Sequence, residues 1–223
     1  MKTRLLVAIS LYIATVGASA DEATPKTDDE KFSYAIGYQI AESVKRQGIE
    51  VDVDSLIQAI RDDFTGTPLR ISQPEMQAAV VAYQQKKFQE LSNKNGKAGQ
   101  KYLAANKKEP GIVELPSGLQ YRIVEQGSGE KPVSSDTVKV HYRGTLIDGT
   151  EFDSSYARGE PVTFQIANII NGWQEALTLM SEGAKWQVFI PPALAYGSGG
   201  AGQNIGPNET LIFEIELVSI EKD

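Results

Sequence analysis

The dominant spacing of apolar residues changes across Glu109-Pro110-Gly111, and that change constrains the chain more than any other feature. Upstream, apolar residues return every three or four positions, the period of a helix with one buried face. Downstream they alternate, the period of a strand with one buried face. A Pro-Gly pair between the two regimes stops a helix, so the change marks a boundary of structure.

Three helices are predicted before it. From Asp28 to Gly48, Phe32, Ile36, Ile40 and Val44 form one stripe that ends at a glycine. The segment VDSLIQAIRDDF follows, with Asp54 as candidate N-cap, Leu56, Ile57, Ile60 and Phe64 as its buried stripe, and Gly66 beyond its end. Ser72-Gln73-Pro74-Glu75 has capping-box spacing and opens a helix reaching about Lys107. Some 35 residues at about 1.5 Å each span roughly 50 Å, beyond the width of a small domain, so this helix needs a partner or serves as a strut. Met76, Val80, Tyr83, Phe88 and Leu91 line its first half, whereas Asn93 to Gly99, with two glycines, is a weak stretch expected to bend or fray. So few large apolar groups make a thin core for a monomer. The stripes are expected to bury against a second copy, giving a helical homodimerisation domain over residues 21–115.

Beyond the boundary, period-two runs appear at Leu119-Tyr121-Ile123, Val138-Val140-Tyr142, Val162-Phe164-Ile166, Trp186-Val188-Ile190 and Leu211-Phe213-Ile215-Leu217. One helical piece, IINGWQEALTLM at 169–180, interrupts them. This is an antiparallel sheet with one short helix over residues 116–223, and the fold class is α+β. Asp148-Gly149 is a hairpin turn signal, which places Phe152 and Asp153 on the strand returning from Tyr142.

At the N-terminus, Lys2 and Arg4 precede an apolar run from Leu5 to Val16 and the small-residue pattern Ala18-Ser19-Ala20. This reads as a signal peptide over 1–20, cleaved before Asp21, and no later run is long enough to span a membrane. Taking Lys2 and Arg4 from the 22 basic residues leaves 20 against 29 acidic ones, a net charge of −9. That balance argues against nucleic acid as a partner. The absence of Cys excludes disulfides, thiol chemistry and thiolate metal sites. A single His, His141, inside a strand pattern, excludes clustered His ligands and reads as structural.

Between Ile190 and Thr210 lies a long irregular segment, PPALAYGSGGAGQNIGPNE. Its Gly197-Ser198-Gly199-Gly200-Ala201-Gly202 fits the G-x-G-x-x-G pattern, but no βαβ unit surrounds it and no helix pattern follows, so a dinucleotide site is not expected. Tyr142, Phe152, Phe164, Trp173, Tyr196 and Phe213 are spread over separate strands, one helix and this loop. They are either an ordinary core or the walls of an apolar pocket bearing a phenol and a carboxylate.

HYRGTLIDGTEFDSS, IINGWQEALTLM, PPALAYG and IGPNETLIFEIEL, in this order and spacing, resemble the FK506-binding-protein type of peptidyl-prolyl isomerase. FSYAIGYQIAESVKRQGIEVD and the long helix after it resemble the dimerising arm of the macrophage infectivity potentiator subgroup of exported bacterial isomerases. The resemblance implies a five- or six-stranded antiparallel half-barrel wrapped around a short helix, with the pocket between them. It makes Trp173 the pocket floor and Tyr142, Phe152, Phe164 and Phe213 its walls. Ile169 and Ile170 become its lip, with the Ile170 backbone N–H a donor to substrate. Tyr196 offers its hydroxyl to a substrate carbonyl, Ile205 sits on the loop above, and Asp153 lies beside the twisting amide. Asp153 either polarises the rotating carbonyl or holds Tyr142 and the wall by hydrogen bonds. Two positions depart from the family pattern, Val162 where eukaryotic members have an aromatic wall residue, and Ser198 to Asn204, which lacks an aromatic or His tip.

The same resemblance implies an enzyme acting on proline-containing unfolded or exported proteins, periplasmic or held at the outer membrane, and inhibited by macrolides of the FK506 and rapamycin type. An X-Pro amide faces a rotational barrier of about 18–20 kcal/mol, and no covalent bond is made or broken in crossing it. Such an enzyme requires no nucleophile, metal or cofactor. The alternative on the same fold is a non-catalytic chaperone or binding module that grips proline-containing segments.

Overall fold

The computed structural model describes residues 24–221, so the leader expected over 1–20 lies outside the described residues. The chain divides into two compact units, one ending at Arg70 and one beginning at Ile71.

In the first unit, α1 (Asp28–Arg46) opens with a capping box between Thr27 and Glu30, and Gly48 past its end has φ 66°. In α2 (Val53–Phe64) the N-cap is Asp52, not Asp54; the Asp52 carboxylate accepts from the Ser55 N–H, and Asp54 falls inside the first turn, where its charge favours the helix dipole. The stripes predicted to be buried are largely exposed in the single chain. Phe32 is 67 % and Phe64 88 % exposed, Ile57 and Ile60 stand in solvent, and no residue of α1 is buried. Local order comes from polar contacts instead: Arg70 donates to Asp62 at 2.6 Å and Gln58 donates to the same carboxylate at 2.7 Å.

The second unit holds α3 (Gln73–Asn106) and the sheet domain together. The capping box of Ser72 and Glu75 starts α3 as expected. Its stretch from Asn93 to Gly99 neither bends out of the helix nor frays. Ser92, Asn95 and Gly99 are the buried residues of α3, and they are small or polar because the segment 207–210 lies against them. Farther along, Tyr102 lies over Phe189 with ring centroids 6.1 Å apart, and Gln120 donates to the Leu103 carbonyl while accepting from Asn106. The second half of α3 therefore packs on the outer face of the sheet at Gln120 and Phe189.

Seven strands form that sheet among the described residues, β1 (Ile112–Glu114), β2 (Gln120–Glu125), β3 (Thr137–Leu146), β4 (Glu151–Ser154), β5 (Val162–Gln165), β6 (Lys185–Ile190) and β7 (Leu211–Glu221). The order is β1-β2-β6-β7-β3-β4, all antiparallel, with β5 also on β3. The count exceeds the expected five or six for two reasons. The three residues of β1 are too short to show alternation, and β4 and β5 share one edge of β3, at residues 143–145 and 137–140. The sheet is thus six strands wide.

Alternation directs Val138, Val140, Tyr142, Gly144 and Leu146 of β3 to one face, with Phe213, Ile215 and Leu217 of β7 and Trp186, Val188 and Ile190 of β6 beside them in register. Against this face packs α5 (Asn171–Leu179), which buries Trp173, Ala176 and Leu177. Gly172 is needed there: a Cβ would come within 2.5 Å of Ile190, so the glycine lets the helix sit down on the strand. A one-turn helix, α4 (Ser155–Arg158), follows β4 directly and ends at Gly159 with φ 81°.

Candidate active site

The site begins where β3 runs out of side chain. Position 144 faces inward but carries no Cβ, and its cross-strand neighbours are Phe213 and Asp153. Into that gap lean the rings of Phe152 and Phe213, 5.5 Å apart at 85°. Trp173, at the start of α5, stands edge-to-face against Tyr142 (5.2 Å, 83°), Phe164 (5.6 Å, 80°) and Phe213 (5.2 Å, 86°). Each such pair contributes about 0.5–1.5 kcal/mol beyond its area burial, and together they hold the rings as a box rather than a collapsed core. The box is open on one side, leaving a cleft of about 500 Å³. That is within the range of small-molecule and peptide side-chain sites.

All ten residues named from the sequence line this cleft: Tyr142, Phe152, Asp153, Phe164, Ile169, Ile170, Trp173, Tyr196, Ile205 and Phe213. Asn168, Ala201, Gly202, Gln203 and Asn204 line it too and were not foreseen. The last four belong to a self-bonded loop in which Ala201 and Ile205 exchange backbone hydrogen bonds of 2.8 and 3.2 Å. This is the segment that matched G-x-G-x-x-G, and it forms a cleft wall. Gly200, with φ 67°, has no room for a side chain beside the Ile205 carbonyl. At the opposite lip the Gln174 side chain donates to the Ile169 carbonyl at 2.8 Å, which fixes Ile169 before α5 begins. Trp173 Nε1 is buried with no partner among the described residues.

The polar edge is a closed triangle. The Tyr142 hydroxyl donates to Asp153 Oδ2 at 2.5 Å, Arg158 Nη1 donates to Asp153 Oδ1 at 2.6 Å, and Arg158 Nη2 donates to the Tyr142 hydroxyl at 2.7 Å. The Arg158 guanidinium also lies 5.5 Å from the centre of the Tyr142 ring. Burial alone would raise the Asp153 carboxyl, but hydrogen bonds from Tyr142 and Arg158 and the Arg158 charge outweigh it and hold the group below the usual carboxylate range. Burial and the Asp153 hydrogen bond push the Tyr142 phenol up. Tyr142 therefore stays protonated and Asp153 ionised across the neutral range.

Arg158 was not named from the sequence. It reaches the triangle because β4 passes straight into the single turn of α4, five residues after Asp153, and the turn closes at Gly159. The signal, an Arg followed by a Gly after an acid, is too short to stand out. Ser155 secures the same corner: its hydroxyl accepts from the Tyr142 N–H at 2.8 Å and donates to the Tyr142 carbonyl at 3.2 Å, replacing strand partners where β4 leaves the sheet. His141 points away from the cleft, bonded to Ser155 and stacked on Tyr156 at 4.8 Å.

The sheet, closed by one helix, thus presents an aromatic cleft with one engaged carboxylate at its edge. The comparisons with known proteins make the class specific. Residues 128–218 match the model of the FKBP-type peptidyl-prolyl cis-trans isomerase, and residues 29–123 match that of the domain amino terminal to FKBP-type peptidyl-prolyl isomerase. Outer membrane protein MIP of Legionella longbeachae is 44 % identical over 100 % of this chain and 99 % of its own length. The peptidyl-prolyl cis-trans isomerase Mip of Coxiella burnetii is 38 % identical over 100 % of both chains. Among solved structures, FkpA from Escherichia coli superposes with a TM-score of 0.72 at 38 % identity, covering 89 % of this chain and 99 % of that one. The chain belongs to the FKBP-type peptidyl-prolyl cis-trans isomerases, and it is Mip- and FkpA-like among them.

Proposed function

We propose that the cleft is the catalytic site and that it works by differential binding alone. A proline ring enters the aromatic box over Trp173, the Ile170 N–H donates to a substrate carbonyl, and Tyr196 at the mouth donates to another. Removing water from around the amide disfavours its dipolar planar form relative to the twisted one, and each 1.4 kcal/mol of that preference is about tenfold in rate. The observation that carries the reading is the four-ring box itself, with Phe152 and Phe213 set into the space that Gly144 leaves. Asp153 has both oxygens occupied, by Tyr142 and by Arg158, which supports its reading as the residue that holds the wall rather than one that polarises the rotating carbonyl.

The substrates on this reading are unfolded, proline-containing chains exported with the enzyme, in the periplasm or at the outer membrane, after loss of residues 1–20. The relative named as an outer membrane protein supports that location. Among the described residues no helix is long and apolar enough to cross a membrane. A homodimer forms through residues 21–115, supported by the exposed stripes of α1 and α2, which have no buried apolar residue of their own. The domain limits follow as an arm over 21–115 and an isomerase domain over 116–223.

Titration with a macrolide of the FK506 type tests the site. It should abolish isomerisation at one molecule per chain, and undiminished turnover at saturation contradicts the cleft as the catalytic site. Sedimentation tests the arm: the chain from Asp21 should run as a dimer and Phe64→Glu should shift it to a monomer, whereas a monomeric parent chain would contradict the dimer.

A further inference from the structure

We infer that α3 is a positioning element of the active site, and that Asn95 sets the placement of Ile205 over the cleft. The inference rests on the cleft reading above and adds a residue that lines no part of the cleft.

The loop carrying Ala201 to Ile205 on its inner side continues into Gly206-Pro207-Asn208-Glu209-Thr210 before β7 begins. That base is clamped to the long helix from both sides. Asn95 donates from its side-chain amide to the Pro207 carbonyl at 2.9 Å in a buried bond, and Asn208 donates from its own amide to Ser92 Oγ at 2.7 Å. The two bonds run in opposite directions across the same contact, between residues more than a hundred positions apart. Asn208 has φ 55°, and its N–H returns to the Gly197 carbonyl at 2.8 Å, closing the loop on itself. The helix is shaped to receive this base. A Cβ on Gly96 would touch Asn208, and one on Gly99 would run into the Thr210 side chain. Gly206 has no room to spare either, since a Cβ there would sit 3.2 Å from the Asn95 amide.

Glycines and short amides in the middle of a 34-residue helix weaken it as a helix. Here Asn95 reaches the Pro207 carbonyl, Ser92 receives the Asn208 side chain and Gly99 leaves room for the Thr210 side chain, and the segment so received is the one that ends the cleft wall. Ile205 lies two residues from Pro207, so the clamp leaves the lip little freedom to move. An unclamped loop would have to be ordered by the substrate on binding, at the expense of affinity. The loss should fall on binding rather than on the rotation step.

The test is a double-mutant cycle in the full chain, with kcat and KM measured on a proline-containing peptide for wild type, Asn95→Ala, Ile205→Ala and the pair. Asn95→Ala should lower kcat/KM by about threefold to tenfold, the scale of one buried hydrogen bond, with the change in KM and kcat within about twofold. In the Ile205→Ala background the same substitution should cost less than about 1.5-fold, because coupled residues do not add. Equal losses in both backgrounds, or no loss on Asn95→Ala, overturn the positioning role. Should Asn95→Ala not fold, Ser92→Ala removes only the acceptor of the second bond and is read in the same cycle, with the same outcomes. Ile205→Ala with full activity would remove the lip reading itself and this inference with it; a normal loss there with an additive Asn95 would remove only the helix's part.

Discussion

Replacing Gly144 by alanine adds one methyl group and should close the site. The new Cβ would lie 2.6 Å and 2.7 Å from two carbons of the Phe152 ring and 2.7 Å from one of Phe213. Carbon atoms rest at about 3.5–4.0 Å, so each contact is short by about 1 Å, and the two rings press from different strands. Phe213 cannot retreat freely, because it is buried edge-on against Trp173. Overpacking of this kind costs about 1–3 kcal/mol, which for a chain of this size lowers Tm by roughly 3–10 °C. A shift of about 1 Å in the walls can cost up to about a hundredfold in rate, so kcat/KM on a short proline peptide should fall at least about tenfold. Thr145→Ala, one residue along β3 and on the other face, should stay within about twofold in the same assay. Phe152→Leu added to Gly144→Ala should recover part of the stability by giving the methyl space. Wild-type Tm and kcat/KM in Gly144→Ala would refute the claim that this missing side chain opens the cleft.

Asp153→Asn and Tyr142→Phe should each lower kcat/KM, and the double variant should be no worse than the poorer single one, since both act through one triangle with Arg158; multiplying losses would mean that Asp153 acts on substrate independently. The pH profile follows from the same contacts. A carboxyl held below its ordinary value contributes stability above the unfolded pKa, about 3.9, and loses it as pH falls through the lower folded value. Activity should therefore stay flat from neutral pH down to about pH 4 and fall only in stronger acid. A midpoint near pH 6 would contradict the ion triangle. On the alkaline side Tyr156 is pushed up to about 12 by burial and by Glu216, so the outer-face contact of Tyr156 with Glu216 should survive well past pH 9, as a phenolate absorbance titration would show.

The alternation in β3, β6 and β7 was legible because one face of each strand is buried and the other is mostly wet, and it located the inward rings correctly. The helix boundaries were legible from their caps, except that two aspartates two residues apart, Asp52 and Asp54, compete for one N-cap. What the sequence could not show was contact between distant segments. Asn93 to Gly99 reads as weak when only helix propensity is counted, and its purpose appears once Pro207 and Asn208 lie against it. Phe189 breaks the alternation of β6 because Tyr102 of α3 buries the outer face at that point. Arg158 and Ser155 were missed because one helical turn has no period to detect. Gly144 carried a readable signal, a glycine at an inward position of an alternating strand, which marks close approach by another group. The stripes of α1 and α2 were legible as apolar faces, and in the single chain they stand exposed.

The most direct test is a proline-limited peptide assay on the chain from Asp21, with Phe213→Ala beside it and folding checked by circular dichroism. The wild type should accelerate cis-to-trans conversion in proportion to enzyme concentration. Phe213→Ala should remain folded, lose three ring contacts of the box, and fall by at least about tenfold in kcat/KM, because the missing ring lets water reach the amide. Full activity in Phe213→Ala, or no acceleration by the wild type, would contradict an aromatic cleft that catalyses rotation by excluding water.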